Sequence, residues 1–195
     1  MQEMPLHFLF LFLFRPIILS AQVQVIIIIN QVAEVLWLPP NGVHLIIRPM
    51  LEKDIPSVIV LGKAMHQESA YREMTFSEKK CRRLIDYLLS TTESFEVVAV
   101  NDTGELCGMM IAAMTQHYFS EDYFIQDYLV YVRPEDRGGT IASRLIGKFI
   151  EWAKQQKGAK MLMCGISTEI DTEKAVRLYE HFGFHQAGVL MRRNP

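Results

Sequence analysis

The sequence has little cysteine, no surplus of charge of either sign and no standard nucleotide-binding signature. Its three cysteines, Cys81, Cys107 and Cys164, lie far apart and form no CxxC pair. That excludes a disulfide scaffold and a zinc ribbon, and it suits a reducing, cytoplasmic compartment. Lys and Arg number 20 against 22 Asp and Glu, leaving a net charge of −2. A partner held by bulk charge, nucleic acid above all, is therefore not expected. Neither GxxxxGK(S/T) nor GxGxxG occurs, so the P-loop and the dinucleotide fingerprint are both absent. His66, His117, His181 and His185 show no metal-ligand spacing, and no metal is expected.

Charge is scarcest at the start of the chain. Residues 1–42 carry only Glu3, Arg15 and Glu34. Between these run Leu6 to Phe14, nearly all Leu and Phe, and Ile17 to Ile29, which ends in four isoleucines. Each run is shorter than the roughly 20 residues that cross a bilayer, and Arg15-Pro16 interrupts them. A secretory signal wants a basic opening, but Glu3 stands there, although Ser20 and Ala21 follow as small residues. Three readings stay open: a signal or membrane anchor over residues 6–29, a real N-terminal extension, or translation assigned upstream of a true start near Val43. Exposed, such apolar runs are an aggregation hazard.

The remainder has what the prefix lacks. The chain is 195 residues, 50% hydrophobic and 22% charged, enough for one domain of ordinary size plus an appendage. The expected division is 1–42 as the apolar extension and 43–195 as the domain. His44 to Pro49 reads as a strand closed by proline. Asp54 is expected to cap a helix that has Pro56 in its first turn. Ser77 opens a second helix, with Cys81, Leu84, Ile85, Leu88 and Leu89 on one face. Strands follow at 95–100, 106–115 and 123–132, the first two joined across Asn101-Asp102-Thr103-Gly104-Glu105. Ile141, Leu145, Ile146, Phe149 and Trp152 recur at helical spacing over 140–156, and Lys157-Gly158 stops that helix. A short strand at 161–166, a helix at 173–182 and a last strand near 186–191 complete the order β α α β β β α β α β. A mixed sheet with helices on both faces buries these elements.

Two stretches carry the chemistry. In Arg137-Gly138-Gly139-Thr140-Ile141-Ala142 a tight turn leads from a strand directly into a helix. The N–H groups of a first helical turn lack internal partners, and the helix dipole is positive there. Small residues let an anion approach the backbone, so phosphate suits this turn. An ordinary strand–turn–helix with glycine at a positive φ explains the same residues. In Leu178-Tyr179-Glu180-His181-Phe182-Gly183-Phe184, Tyr179 is either a core aromatic or a phenol that gives a proton to a leaving group.

Together the two stretches resemble the GNAT superfamily of N-acetyltransferases over residues 44–192. Arg137 and Ala142 fill the first and last places of that family's (Q/R)xxGx(G/A) pattern, with Thr140 where its middle Gly usually stands. The distal stretch resembles the family's LYEKLGF, and Thr172 stands where an Asn often precedes the Tyr by seven residues. The resemblance implies an α/β (α+β mixed) fold: a central mixed sheet of about six to seven strands, flanked by about four helices and splayed between the fourth and fifth strands. It implies acetyl-CoA as acyl donor, its pyrophosphate held by the amides of Arg137, Gly138, Gly139, Thr140, Ile141 and Ala142. Tyr131, Val132 and Thr172 would meet the rest of that cofactor. Tyr179 would protonate the departing thiolate. Asp127 is a candidate base, with Glu121 and Asp122 as others, and each is equally explained as a solvated strand-end charge. His66, Glu68 and Tyr71 would line the acceptor pocket, Glu68 pairing with a cationic amine. The implied acceptor is a primary amine of a small molecule or a protein, and a homodimer is open. The departures at Thr140 and Thr172 keep a non-catalytic CoA-binding module as the alternative, and residues 6–29 keep a membrane-tethered acyltransferase.

Overall fold

The computed structural model describes residues 45–193. The apolar prefix, with its signal, anchor and misassigned-start readings, lies outside the described residues. In chain order the elements are β1 (Ile46–Pro49), α1 (Ile55–Glu68), α2 (Glu78–Leu89), β2 (Ser94–Val100), β3 (Leu106–Gln116), β4 (Tyr123–Val132), α3 (Ile141–Ala153), β5 (Ala159–Met163) and α4 (Thr172–His181). The strands form one sheet in the order β1-β2-β3-β4-β5. The first three pairings are antiparallel, and β4 with β5 is parallel.

Alternation along the strands sorts side chains to two faces. Phe95, Val97 and Ala99 of β2 join Cys107, Met110 and Ala112 of β3 on one face, beneath Leu145, Ile146 and Phe149 of α3 and Tyr179 of α4. Val98 and Val100, with Met109, Ile111 and Ala113, face Ile55, Val58 and Leu61 of α1 and Ile85 and Leu88 of α2. Because helices cover both faces, β3 is buried without a break from Cys107 to Ala113, the run expected of a central strand. Gly108 lets α3 come close. A methyl group there would lie 3.1 Å from Ile141 Cγ2 and from Tyr131 O.

Several expectations change on contact with the tertiary structure. Asp54 precedes α1 but makes no side-chain cap. Its buried carboxylate accepts instead from Arg48 (2.5 and 2.9 Å) and from the Leu51 N–H (2.8 Å). Arg48 thereby holds the acid well below the usual carboxylate range. Ser77 does cap α2, accepting from Lys80 N–H at 3.4 Å. The sheet has five strands among the described residues, not six to seven. The strand expected near 186–191 does not form: no ladder partner among the described residues takes this stretch, and Val189, Leu190 and Met191 stay 71–85% exposed. Alternating apolar residues suggest a strand, but only backbone pairing makes one.

Candidate functional site

β4 is bonded differently along its length. Its first part pairs with β5 through Tyr123↔Ala159, Ile125↔Leu162 and Gln126↔Met163, and the pairing stops there. On the β3 side the ladder continues to Val132, with Leu129 opposite Ile111 and Asp127 opposite Ala112. Tyr128 is therefore an extra residue, a bulge that adds twist where β4 leaves β5. This is the splay expected between the fourth and fifth strands. Arg133 N–H bonds Cys107 O at 2.9 Å. By alternation Tyr131 spends its backbone on β3, while Val130 and Val132 turn theirs to the opened side.

A cleft of about 410 Å³ occupies the opening. The expected cofactor residues Arg137, Gly138, Gly139, Ile141 and Ala142 line one end, next to Tyr131 and Val132. Gly138 has φ +87°, which side-chain-bearing residues rarely adopt, and a Cβ on either Gly138 or Gly139 would meet open space. Arg144 N–H to Thr140 O (2.9 Å) is the first bond into α3 from this turn. The N–H groups of Ile141, Ala142 and Ser143 thus have no helical acceptor and are available to an anion. Thr140 precedes α3 without capping it and is exposed. Neither Thr140 nor Thr172, which opens α4, is among the cleft-lining residues.

Two of the expected catalytic residues meet where the strands part. Asp127 is 9% and Tyr179 is 6% exposed. Tyr179 Oη donates to Asp127 Oδ2 over a long 3.4 Å, and Asp127 Oδ1 accepts from Gly165 N–H at 2.9 Å. Asp127 is therefore not a solvated strand-end charge. Its side chain bridges β4 to the chain leaving β5, where no ladder bond does so. Burial raises its pKa to about 6, against the lowering pull of the Gly165 and Tyr179 hydrogen bonds. Burial, followed by the Asp127 charge, pushes the Tyr179 phenol well above its ordinary value. Cys164 lies against the same phenol, and burial raises its thiol too. Sequence reading passed over Gly165 and Cys164, although a glycine just past a short apolar strand was the available signal. Glu121 and Asp122 sit exposed before β4.

The acceptor-side expectations divide. Tyr71 lines the cleft with Met65 and Tyr128. His66 packs against Phe76, ring centroids 5.3 Å apart, and is not among the cleft-lining residues. The cation that Glu68 meets belongs to the chain itself. Arg137 forks onto its carboxylate, NH1 to Oε1 and NH2 to Oε2 at 2.7 Å, and Tyr131 Oη donates to Oε2 at 3.0 Å. Arg137 holds Glu68 below the usual carboxylate range. Burial and the adjacent carboxylate raise Tyr131 to about 12. Among the described residues no three His, Cys, Asp or Glu side chains gather as metal ligands. No helix among them is long and apolar enough to cross a membrane.

Comparison with known proteins bears on this geometry. The model of the acetyltransferase (GNAT) family matches residues 63–184. No curated protein matches the sequence. Among solved structures, a transcriptional regulator from Bacillus halodurans is 23% identical with a TM-score of 0.60, covering 77% of this chain and 100% of its own. An aminoglycoside N-acetyltransferase solved with CoA is 17% identical with a TM-score of 0.59, covering 81% and 99%. An aminoglycoside 6'-N-acetyltransferase from Acinetobacter baumannii is 18% identical with a TM-score of 0.56, covering 77% and 99%. At these identities the likeness is one of fold.

Proposed function

This chain belongs to the acetyltransferase (GNAT) family, and on that premise we propose that it is an acetyl-CoA-dependent N-acetyltransferase acting on a primary amine. One observation carries the reading: an open glycine turn with free helix-start amides leads into a cleft that has Tyr179 on its wall. Acetyl-CoA supplies a thioester for the amine to attack. The amides from Gly138 to Ser143 hold its pyrophosphate, where the α3 dipole also favours negative charge. Val130, through its N–H and C=O, and Val132, through its N–H, face the pantetheine arm along the opened edge of β4, the Val132 carbonyl being taken by Arg137 Nε. Tyr179 gives its proton to the departing sulfur, which avoids expelling a thiolate into an apolar cleft, and the proton shed by the newly acetylated nitrogen restores the phenol. At rest Asp127 accepts the phenol's O–H over a long bond and fixes the position of its oxygen, and the O–H turns from Asp127 to the sulfur as charge builds on the leaving group. Ionised above about pH 6, the carboxylate sets the lower limit of the range in which that pair exists. The acceptor amine enters past Tyr71 and Tyr128, whose rings suit a cationic or aromatic body.

The test is calorimetric titration of acetyl-CoA and of CoA into the full chain. Micromolar binding is expected, with loss of at least about tenfold in Gly138→Val, because a β-branched residue cannot take φ +87° without shifting the turn. Absence of binding by the folded wild-type protein overturns the reading.

A further inference from the structure

The cofactor turn does not stand alone: the residue that enters it is tied to the last residue of α1. We propose that Glu68, with Tyr131, is a positioning residue for the turn at Gly138–Ala142, acting by fixing the Arg137 side chain, and is not a ligand of the acceptor amine. The inference rests on the acetyl-CoA reading for what the turn holds, and on the contact network alone for how the turn is held.

Glu68 ends α1, and Arg137 is the last residue before the glycine pair; the two lie 69 positions apart. Three groups converge on Arg137. Its Nε donates to Val132 O at 2.9 Å, at the end of β4. NH1 and NH2 each donate to one Glu68 oxygen. Its guanidinium carbon lies 5.4 Å from the centre of the Tyr131 ring, within range of a cation–π contact. Glu68 is likewise occupied at both oxygens, Oε2 accepting twice. A two-point fork fixes orientation as well as distance, which one point charge cannot do. Side-chain exposures of 26% for Arg137 and 30% for Glu68 set the pair apart from a fully solvated bridge of little consequence.

The fork matters because the turn has few anchors of its own. Gly138 and Gly139 carry no side chain, a Cβ on either would touch nothing, and Thr140 makes no cap. The turn's backbone bonds sit at its flanks, Arg137 N–H to Pro134 O and Arg144 N–H to Thr140 O. Two glycines in series impose a large ordering cost unless something outside the turn pays it beforehand. Arg137 sits at the entry of the turn, and Glu68 holds Arg137. Two of its five guanidinium N–H bonds remain for an anion in the cleft.

The experiment compares wild type with Glu68→Gln, Tyr131→Phe, Arg137→Gln and the Glu68→Gln/Arg137→Gln double variant. It reads amide hydrogen exchange at Arg137 and Arg144 without ligand, CoA affinity by calorimetry, and KM for both substrates. Glu68→Gln keeps the shape and removes the charge. It should speed exchange at those two amides while leaving β2 and β3 unchanged, and weaken CoA about tenfold with the acceptor KM unmoved. Tyr131→Phe should do the same to a smaller degree. The double variant should be no weaker than Arg137→Gln alone, because the two side chains act as one unit. Unchanged exchange in Glu68→Gln, or a raised acceptor KM with unchanged CoA affinity, overturns the proposal. If wild type binds no CoA but Glu68→Gln still speeds exchange, the acetyltransferase reading falls and the positioning role stands.

Discussion

The two halves of β4 share one strand and one partner in β3, yet they do opposite work. Tyr123 to Gln126 are laddered on both sides, and Ile125 there is 1% exposed. From Asp127 onward the strand keeps β3 and loses β5. The first half is sheet interior. The second has an edge with no strand partner among the described residues, a bulge at Tyr128 and a cleft. The ending of a ladder thus creates backbone groups that a ligand can use, at the carboxyl ends of parallel strands where α/β proteins place their sites. Asp127 marks the boundary, its carboxylate standing in for the inter-strand bond that would have come next.

The contrast can be broken first at Tyr179. Tyr179→Phe keeps the ring's packing against Phe184, 5.4 Å away between centroids, but removes the O–H. We expect kcat to fall roughly 100-fold with little change in KM for acetyl-CoA, measured by steady-state assay with a primary-amine acceptor. An unchanged kcat would make Tyr179 a core aromatic and nothing more.

The boundary itself is tested by Asp127→Asn. Asp127 titrates near 6 in the folded chain, above its ordinary value, so the native state holds this proton more tightly than the unfolded state does. Its contribution to stability is therefore fully present below about pH 4 and lost as pH rises through 6. Asparagine does not ionise. Urea melts from pH 4 to pH 7 should shift in the variant's favour by up to about 3 kcal/mol. The variant should also lose the acid limb of kcat near pH 6. Parallel pH curves for the two proteins would remove Asp127 from both roles.

The smallest effect is expected at Thr140. Its side chain is exposed and outside the cleft lining, so Thr140→Gly should alter CoA affinity by less than about threefold. A tenfold gain by calorimetry would show that the Cβ crowds the cradle after all.

The elements were largely legible because their signals are local. Period-two alternation in β2 and β3, the apolar stripe of α3 and the Asn101–Gly104 turn depend on neighbours a few residues away. The glycine turn was legible for the same reason. Asp127 was recognisable only as a carboxylate on a strand, with nothing nearby in sequence to say whether it was solvated. In the sequence Glu68 is a carboxylate that suits a cationic amine, and its true partner is hidden because Arg137 is 69 residues away. The stretch at 186–191 has only an apolar pattern, and pattern cannot supply a pairing partner.

Local patterns along the chain are enough for the helices, the strands of the sheet interior, the φ-positive glycine turn and the phenol at position 179. Tertiary structure alone decided that β4 parts from β5 after Gln126, that Asp127 reaches Tyr179 and Gly165 there, and that Glu68 closes on Arg137. The division follows from range. Backbone preference and hydrophobic period act over a few residues, whereas the partners of a buried carboxylate and the end of a ladder depend on which distant segments the sheet brings side by side.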